Sequence, residues 1–355
     1  MQKLLDPPNY RLVQTLRTPS PVSSLAFGHS GHLFVGSDDG SLRVYDLSSF
    51  KVQRAVSGLP AEVSSIVCLK RAGSDLRDVW LACGHQAFSF RMDLPKLVQT
   101  PLDAMSTLDL CDIDVLNELA ISAAKTHLAF STDSGCVGVV DLSTKMITKM
   151  KTSHDSICGQ VRFIPDRPRE IVSGGYDSCL MHFDFVQGTV LSRRDIPPLP
   201  ASNGLSLSPP FIMSAALTTT GLLAAGTADG RLLLNSGGEK TTPVKSNTKK
   251  KRSRKWEGLS VDAEVLAKIA EGPIVAMAFI DPATLTLSTL LGNVMQFRIL
   301  RQDSAHLMKI WEGQTQTISK VNALVADEKR IVVAGLTADA KGATEIWDLA
   351  KESAP

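Results

Sequence analysis

The sequence predicts an all-β chain folded as a seven-bladed β-propeller, and three observations carry that prediction. Short apolar strands alternate with tight turns from one end of the chain to the other. A unit of strand, small residues, Asp-containing turn and second strand recurs roughly every 40 to 50 residues, the period of a propeller blade. A spare strand at the N-terminus answers a strand missing at the C-terminus, so the ring closes and leaves no open sheet edge.

The repeat is plainest in "GHLFVGSDDGSLRVYDL" (31–47), "THLAFSTDSGCVGVVDL" (126–142), "REIVSGGYDSCLMHFDF" (169–185) and "TGLLAAGTADGRLLLNS" (220–236). A longer copy is "KRIVVAGLTADAKGATEIWDL" (329–349), and weaker ones lie at 64–93 and 274–299. An apolar strand precedes each, as in "VSSLAF" or "IMSAAL". The inner three strands of the seven blades fall near 22–47, 63–93, 116–142, 157–184, 211–236, 274–299 and 319–349. The outermost strands are expected at "VQRAV", "KLVQT", "MITKMKT", "TVLSRR", "EVLAKI" and "HLMKIW" in turn. "YRLVQTLR" (10–17) is expected to complete the seventh blade and close the ring. This gives a propeller over 10–350, tails at 1–9 and 351–355, and an insert at 237–258 within blade five.

Composition agrees with a large folded core. The chain has 355 residues, 43% of them apolar, and few aromatics. Cys68, Cys83, Cys111, Cys136, Cys158 and Cys179 sit singly in strand-like runs with no C-x-x-C pair, as expected of reduced core residues in a cytosolic or nuclear protein. The start "MQKLLDPPNY" has no apolar signal stretch, and no run approaches the ~20 apolar residues of a membrane span. Net charge is +2, but 237–258 holds eight Lys/Arg against Glu239 and Glu257, a local +6. The basic character belongs to one segment.

"EIVSGGYDSCLMHFD" (170–184) gathers Asp177, Cys179, His182 and Asp184, with His154 and Cys158 upstream. These residue types also build metal and nucleophilic sites. Cys179 and His182 are three apart on one strand, however, and odd and even strand positions face opposite sides. A structural role is therefore expected. Asp39, Asp133 and Asp229 are expected to be tight-turn formers. No P-loop, H-E-x-x-H or G-x-S-x-G is present. Trp80, Trp256 and Trp311 lie in separate segments, and the Pro-rich "DIPPLPASNGLSLSPP" (195–210) reads as an exposed linker or a polyproline-type docking peptide.

These repeats resemble WD-repeat proteins. One copy ends in Trp347-Asp348; others read Tyr45-Asp46, Val140-Asp141 and Phe183-Asp184. The resemblance covers nearly the whole chain and implies a protein-interaction scaffold without catalysis or cofactor. It also implies a hydrogen-bonded chain through His154, Ser173 and Asp177, with Phe183 in place of the usual Trp. Phe183 has no N–H, so the chain should stop at Ser173. A narrower resemblance, to the WD repeat-containing protein 53 family, is carried by "HDSICGQVRFIPDRPREIVS" (154–173), "SPPFIMSAALTTTGLLAAGTADGRL" (208–232) and a lysine-rich insert late in the propeller. That family is regarded as candidate substrate receptors of cullin-4 ubiquitin ligases. Such receptors often dock on the ligase linker through W-D-x-R. The equivalents here end in Ser48, Val186 and Ala350, none of them arginine.

"KKKRSRK" (249–255) puts Lys249, Lys250, Lys251, Arg252, Arg254 and Lys255 in a segment with no apolar periodicity, expected to be a disordered surface loop. It reads as a nuclear localisation signal for an importin groove, with phosphate-type nucleic-acid contact as the alternative. Thr242 precedes Pro243 and matches a proline-directed phosphosite. The expectation is a monomer within a larger assembly of protein partners, in nucleus and cytoplasm. The rival reading is a ribonucleoprotein or ribosome-assembly factor that uses the basic insert.

Overall fold

In a computed structural model the described residues are 8–28, 30–70, 78–200, 208–239, 256–301 and 305–350. Seven antiparallel sheets follow one another along the chain as the blades of a propeller. The innermost strands, lettered a, are Val22–Phe27, Val63–Leu69, Leu116–Ile121, Cys158–Phe163, Ile212–Leu217, Ile274–Asp281 and Ile318–Ala326. Strands b, c and d lie outward of each in order.

The core is divided into seven parts, one between each pair of adjacent blades. Phe34, Val63 and Leu81 pack between blades one and two, for example, and Leu180, Ile212 and Leu233 between blades four and five. A blade therefore buries both faces, which is why strands b and c are apolar almost throughout. Free cysteines fill this core: Cys83, Cys111, Cys158 and Cys179 are buried, Cys68 and Cys136 partly so.

Polar side chains and amides on the a strands then tie each blade to the next. Ser24 Oγ donates to the Val63 carbonyl (2.5 Å), Ser64 Oγ to Leu116 (2.6 Å), Asn117 Nδ2 to Cys158 (3.1 Å) and Ser214 Oγ to Ile274 (2.7 Å). Gln160 Oε1 accepts the Ala215 N–H (3.0 Å), and the Val321 N–H meets the Leu290 carbonyl (2.8 Å). Asn322 Nδ2 completes the circle on the Val22 carbonyl (2.8 Å).

The ring closes through Tyr10–Thr18, which pairs antiparallel with Gly342–Leu349 from Tyr10↔Leu349 to Thr18↔Gly342. Asn9, placed by the sequence in the tail, joins this pairing, its carbonyl accepting the Ala350 N–H (2.7 Å).

The outer strand of blade two differs from expectation. "KLVQT" does not join blade two: Val98–Gln99 runs parallel to strand d of blade one, Lys51–Val56, as a fifth strand. Strand d of blade two is Ser106–Asp109, paired with Gln86–Phe90. A short 3-10 turn, Pro101–Asp103, links the two, with Lys96 on Asp103 (2.6 Å).

The insert also has narrower bounds. Residues 240–255 lie outside the described residues, and so do Thr242 and all six cations from Lys249 to Lys255. Gly237–Glu239 and Trp256–Gly258 are part of the blade. Trp256 is only 2% exposed and packs with Ile164, Val172 and Leu259 between blades four and five. The glycines allow this seat: a β-carbon on Gly238 or Gly258 would strike the indole at 1.9 or 2.0 Å.

Candidate functional site

The two turn types of the repeat explain its aspartates. At the c–d turn, the Asp ending strand c accepts backbone N–H groups two and three residues on, an Asx turn. Asp184 holds Val186 N (2.9 Å) and Gln187 N (3.0 Å); Asp141 holds Ser143 N (2.8 Å) and Thr144 N (3.1 Å); Asp46 holds Ser48 N (2.9 Å). These bonds, with those from Ser49 and Ser48 side chains, hold the Asp46 carboxyl down at about 2, and the Ser143 hydroxyl with its turn amides does the same for Asp141.

At the b–c turns the acceptor carboxylates take different donors. In blade four His154, only 3% exposed, donates from Nδ1 to Asp177 Oδ1 (2.9 Å) and accepts at Nε2 from Ser173 Oγ (2.7 Å). The carboxylate fixes that tautomer. The Asp155 N–H (3.2 Å) and Cys179 N–H (3.3 Å) also reach Asp177. Burial opposes ionisation of Asp177, but the His154 hydrogen bond and attraction with those two amides outweigh it and lower its pKa. The hydrogen-bonded chain ends at Ser173; Phe183 is buried against blade three.

Blade five uses an arginine instead. Asp229 accepts from Thr227 Oγ1 (2.5 Å) and Arg231 Nε (2.8 Å), and Arg231 also holds the Pro197 carbonyl (2.7 Å). Asp39 accepts from the Ser41 amide (3.1 Å) and the Ser41 hydroxyl, near Arg43. Asp133 is placed differently from the others. It occupies the position before the turn acceptor, level with Asp38 and Tyr176, and its carboxylate points to solvent. The turn acceptor in blade three is Asp114, from just before strand a, which takes the Ser134 hydroxyl (2.5 Å). The hydroxyl and the carboxylate have exchanged sides.

His154, Asp177 and Cys179 bring ligand-type atoms within 4.8 Å of one another, the one such group among the described residues. Both imidazole nitrogens are already engaged, and burial pushes the Cys179 thiol far above its ordinary pKa. The donors fit a structural network better than a metal ion, which would have to displace those bonds and strip that proton. His182 is apart from them. It faces blade five, fully buried, bonded to Glu170 Oε2 (2.9 Å) and Ser192 Oγ (3.1 Å) and edge-on to Trp256 (5.1 Å). As the strand alternation predicts, His182 and Cys179 face opposite sides of the blade, and both sides are inter-blade cores.

Trp80, Trp256 and Trp311 sit in three different inter-blade cores and form no shared cage. Of the Pro-rich linker, 201–207 lies outside the described residues, while Ile196 is buried.

A family model described as "WD domain, G-beta repeat" matches residues 10–46. That span starts with the closing strand of blade seven and ends at Asp46 of blade one, so the sequence repeat is strand d followed by a, b and c. It recurs here in seven blades. This match and the seven-bladed ring support assignment to the WD-repeat family. A curated WD-repeat relative, "WD repeat-containing protein 53 homolog" of Dictyostelium discoideum, is 24% identical over 220 residues, 56% of this chain. The chain spans 57% of that relative's length.

As a WD-repeat ring the molecule offers two loop faces, one carrying the b–c turns and one the c–d turns. No helix among the described residues is long and apolar enough to cross a membrane. Two features escaped the sequence reading. On the c–d face, arginines at or just before the start of strand b reach the terminal aspartates: Arg330 to Asp348 (2.9 Å) and Arg169 to Asp184 (3.2 Å). Cross-strand pairing of Arg330 with Asp348 was legible once register was known. On the b–c face, Tyr176 stacks on Phe211 (5.7 Å, 9°), a contact between blades that no local pattern encodes.

Proposed function

We propose that this WD-repeat chain is a non-catalytic protein-interaction scaffold. The observation that carries the reading is the engagement of His154, Asp177 and Cys179 with one another and with the backbone, so that the best chemical cluster of the sequence serves the fold. The loop faces of a rigid ring are left to recognise partners.

The finer reading is a substrate receptor or adaptor of a cullin-4 type ubiquitin ligase. Two things support it: the relative noted above, and the arginines beside Asp184 and Asp348. Ser48, Val186 and Ala350 stand where a W-D-x-R arginine would be, yet Arg169, just before strand b, and Arg330, at its start, bring guanidinium groups to the same turns. The basic residues Lys249 to Lys255 are proposed to serve nuclear import through importin.

Affinity purification of the tagged full chain, with and without Arg169→Ala/Arg330→Ala, tests this. Capture of cullin-4 and its linker protein, lost in the double variant, is the expected result. Pre-ribosomal RNA and assembly factors in their place would replace it with the ribonucleoprotein reading. Turnover of a substrate by the purified chain would overturn the non-catalytic assignment.

A further inference from the structure

Two of the six thiols line one cleft. It holds about 200 Å³, and Cys111, Asp112, Asp114, Ser134, Cys136 and Lys149 are among its walls. Cys111 comes from the segment that leads into strand a of blade three, and Cys136 from the b–c turn of the same blade, just before strand c, Val137–Asp141. Strand parity puts them on one side. Val137 and Val139 pack towards blade four, whereas Val140 packs with Cys111 between blades two and three. Cys136, one place before Val137, thus faces the side of Cys111. Gly138 shares that side, and so does its cross-strand partner Lys149.

Hydrogen bonds fasten the two walls together. Cys111 Sγ donates to the Asp114 carbonyl (3.4 Å), and the Asp114 carboxylate takes the Ser134 N–H (3.2 Å) and hydroxyl (2.5 Å). Thr132 Oγ1 takes the Cys136 N–H (3.1 Å) and fixes the far end of the turn. Cys136 is part-exposed and Cys111 is 4% exposed, so a small solute in the cleft meets the first thiol with the second behind it. Cys158 and Cys179 also share a core, that of blades three and four, but both are wholly buried. A metal ion suits the cleft less well, because its ligand atoms form no group of three within 4.8 Å as those of His154, Asp177 and Cys179 do.

We propose that Cys111 and Cys136 form a dithiol site oxidised by hydrogen peroxide, closed as a disulfide and assisted by Lys149. Cys136, the more open thiol, releases its proton to water and attacks first. Its sulfur bonds one peroxide oxygen, the O–O bond breaks, and the leaving hydroxide takes a proton from the Lys149 ammonium, which regains one from water. A sulfenic acid and one water result. Cys111 then attacks that sulfur. The S–S bond forms, the S–O bond breaks, and the departing hydroxide takes the Cys111 proton to give a second water. The two thiols lose two electrons and the peroxide gains them. The product ties the segment entering blade three to the b–c turn of that blade.

The charges around the cleft set the pace. Burial pushes the Cys111 thiol up to about 12, with Asp114 adding to it, Lys149 opposing and Asp112 adding a little. Burial raises Cys136 too, against Lys149 and with Asp114. Peroxide therefore meets a small thiolate fraction at neutral pH, one that grows about tenfold per pH unit.

The test treats the folded full chain with hydrogen peroxide, blocks the remaining thiols with an alkylating agent and reads digested peptides by mass spectrometry. The peptides of Cys111 and Cys136 should appear joined, two hydrogens lighter, before any other cysteine pair, and dithiothreitol should part them. The initial rate should rise about tenfold per pH unit. Cys111→Ser should let Cys136 collect as a sulfenic acid that dimedone traps, and Cys136→Ser should leave Cys111 unoxidised over the same time. Lys149→Ala should slow the link about threefold or more without moving the melting temperature. A parent chain in which Cys136 runs on to sulfinic acid without joining Cys111 overturns the proposal. So does a link that forms only in urea, or a Cys158–Cys179 link that forms as fast. Linking at the parent's rate in Lys149→Ala strikes out the part given to the lysine.

Discussion

Gly175 and His154 fit only each other. A β-carbon on Gly175 would lie 2.5 Å from His154 Nδ1 and 2.6 Å from Asp177 Oδ1. The other turns of this type open with a hydroxyl residue: Ser37, Thr132, Thr227, Thr289 and Thr337 each accept the i+3 amide as Gly175 does. The residue in the place of His154, bonded by its amide to the preceding turn, is Leu59, Ile196, Ala270 or Thr315. In blades five and seven the threonine hydroxyl reaches the turn aspartate, Thr227 to Asp229 and Thr337 to Asp339. Blade four has removed that hydroxyl and brought in an imidazole.

The first prediction is therefore an exchange. Gly175→Thr alone should destabilise the fold by about 1–3 kcal/mol, the range for overpacking a filled site. His154→Leu alone should cost a similar amount, leaving Ser173 and Asp177 short of a partner. The double variant rebuilds the arrangement of blade five and should recover part of the loss. Urea unfolding of the four proteins gives the coupling; simple additivity would refute the exchange.

The second concerns pH. Asp177 has a folded-state pKa below the ordinary aspartate value of about 3.9. Its contribution is then complete above that value and is lost as pH falls through the lower, folded value. The stability gap between the parent and Asp177→Asn should be flat from neutral pH down to about 5 and should shrink below about 4. A gap that grows on acidification would contradict the sign.

Such relations show what the sequence could convey. The pairing of His154 with Asp177 came from the WD-repeat resemblance, while blade number and ring closure follow from period and spacing, both local. The placing of Val98–Gln99 on blade one does not, because "KLVQT" alternates like any outer strand and its parallel partner lies in the preceding blade. Trp256 was absorbed into the insert because six cations precede it, although a lone Trp after a charge run is itself a signal of an anchor. Asp133 lies in its tight turn, one position before the acceptor place that Asp39 and Asp229 fill, a difference that D-S and D-D-G turns hide until the amide bonds are seen.

His182 provides the third prediction. Its ring is fully buried between Glu170, Ser192 and Trp256. His182→Ala would leave a cavity and take from Glu170 Oε2 its imidazole partner, a loss of about 2–4 kcal/mol. The zinc content of the purified chain, measured by mass spectrometry, should not change with it. A stability within about 0.5 kcal/mol of the parent, the usual range of a surface substitution, would show that the site is solvated.

The last prediction concerns closure. Asn322 and Val22 meet across 300 residues of sequence at the inner strands, and Tyr10–Thr18 pairs with Gly342–Leu349 at the outer edge of blade seven. Tyr10 binds this strand to two blades at once. Its ring stands edge-on to Trp311 of blade six (5.1 Å), which stands edge-on to Trp347 of blade seven (5.9 Å), and its hydroxyl accepts from Gln296 Nε2 (3.2 Å). Burial of Tyr10 and Leu16 contributes about 1.5–3 kcal/mol each. Tyr10→Phe keeps the ring and loses the acceptor, a cost of about 1 kcal/mol; Tyr10→Ala loses the ring contacts as well and should cost about 3–5 kcal/mol. Deleting residues 1–18 removes the whole strand and bares the edge of Gly342–Leu349, so the product should both unfold earlier in urea and self-associate on size exclusion. The order parent, Phe, Ala, deletion tests the latch step by step. A monomeric deletion product with the parent's urea midpoint would mean that the ring holds without its closing strand, and that the a-strand bonds, Asn322 to Val22 among them, suffice to join blade seven to blade one.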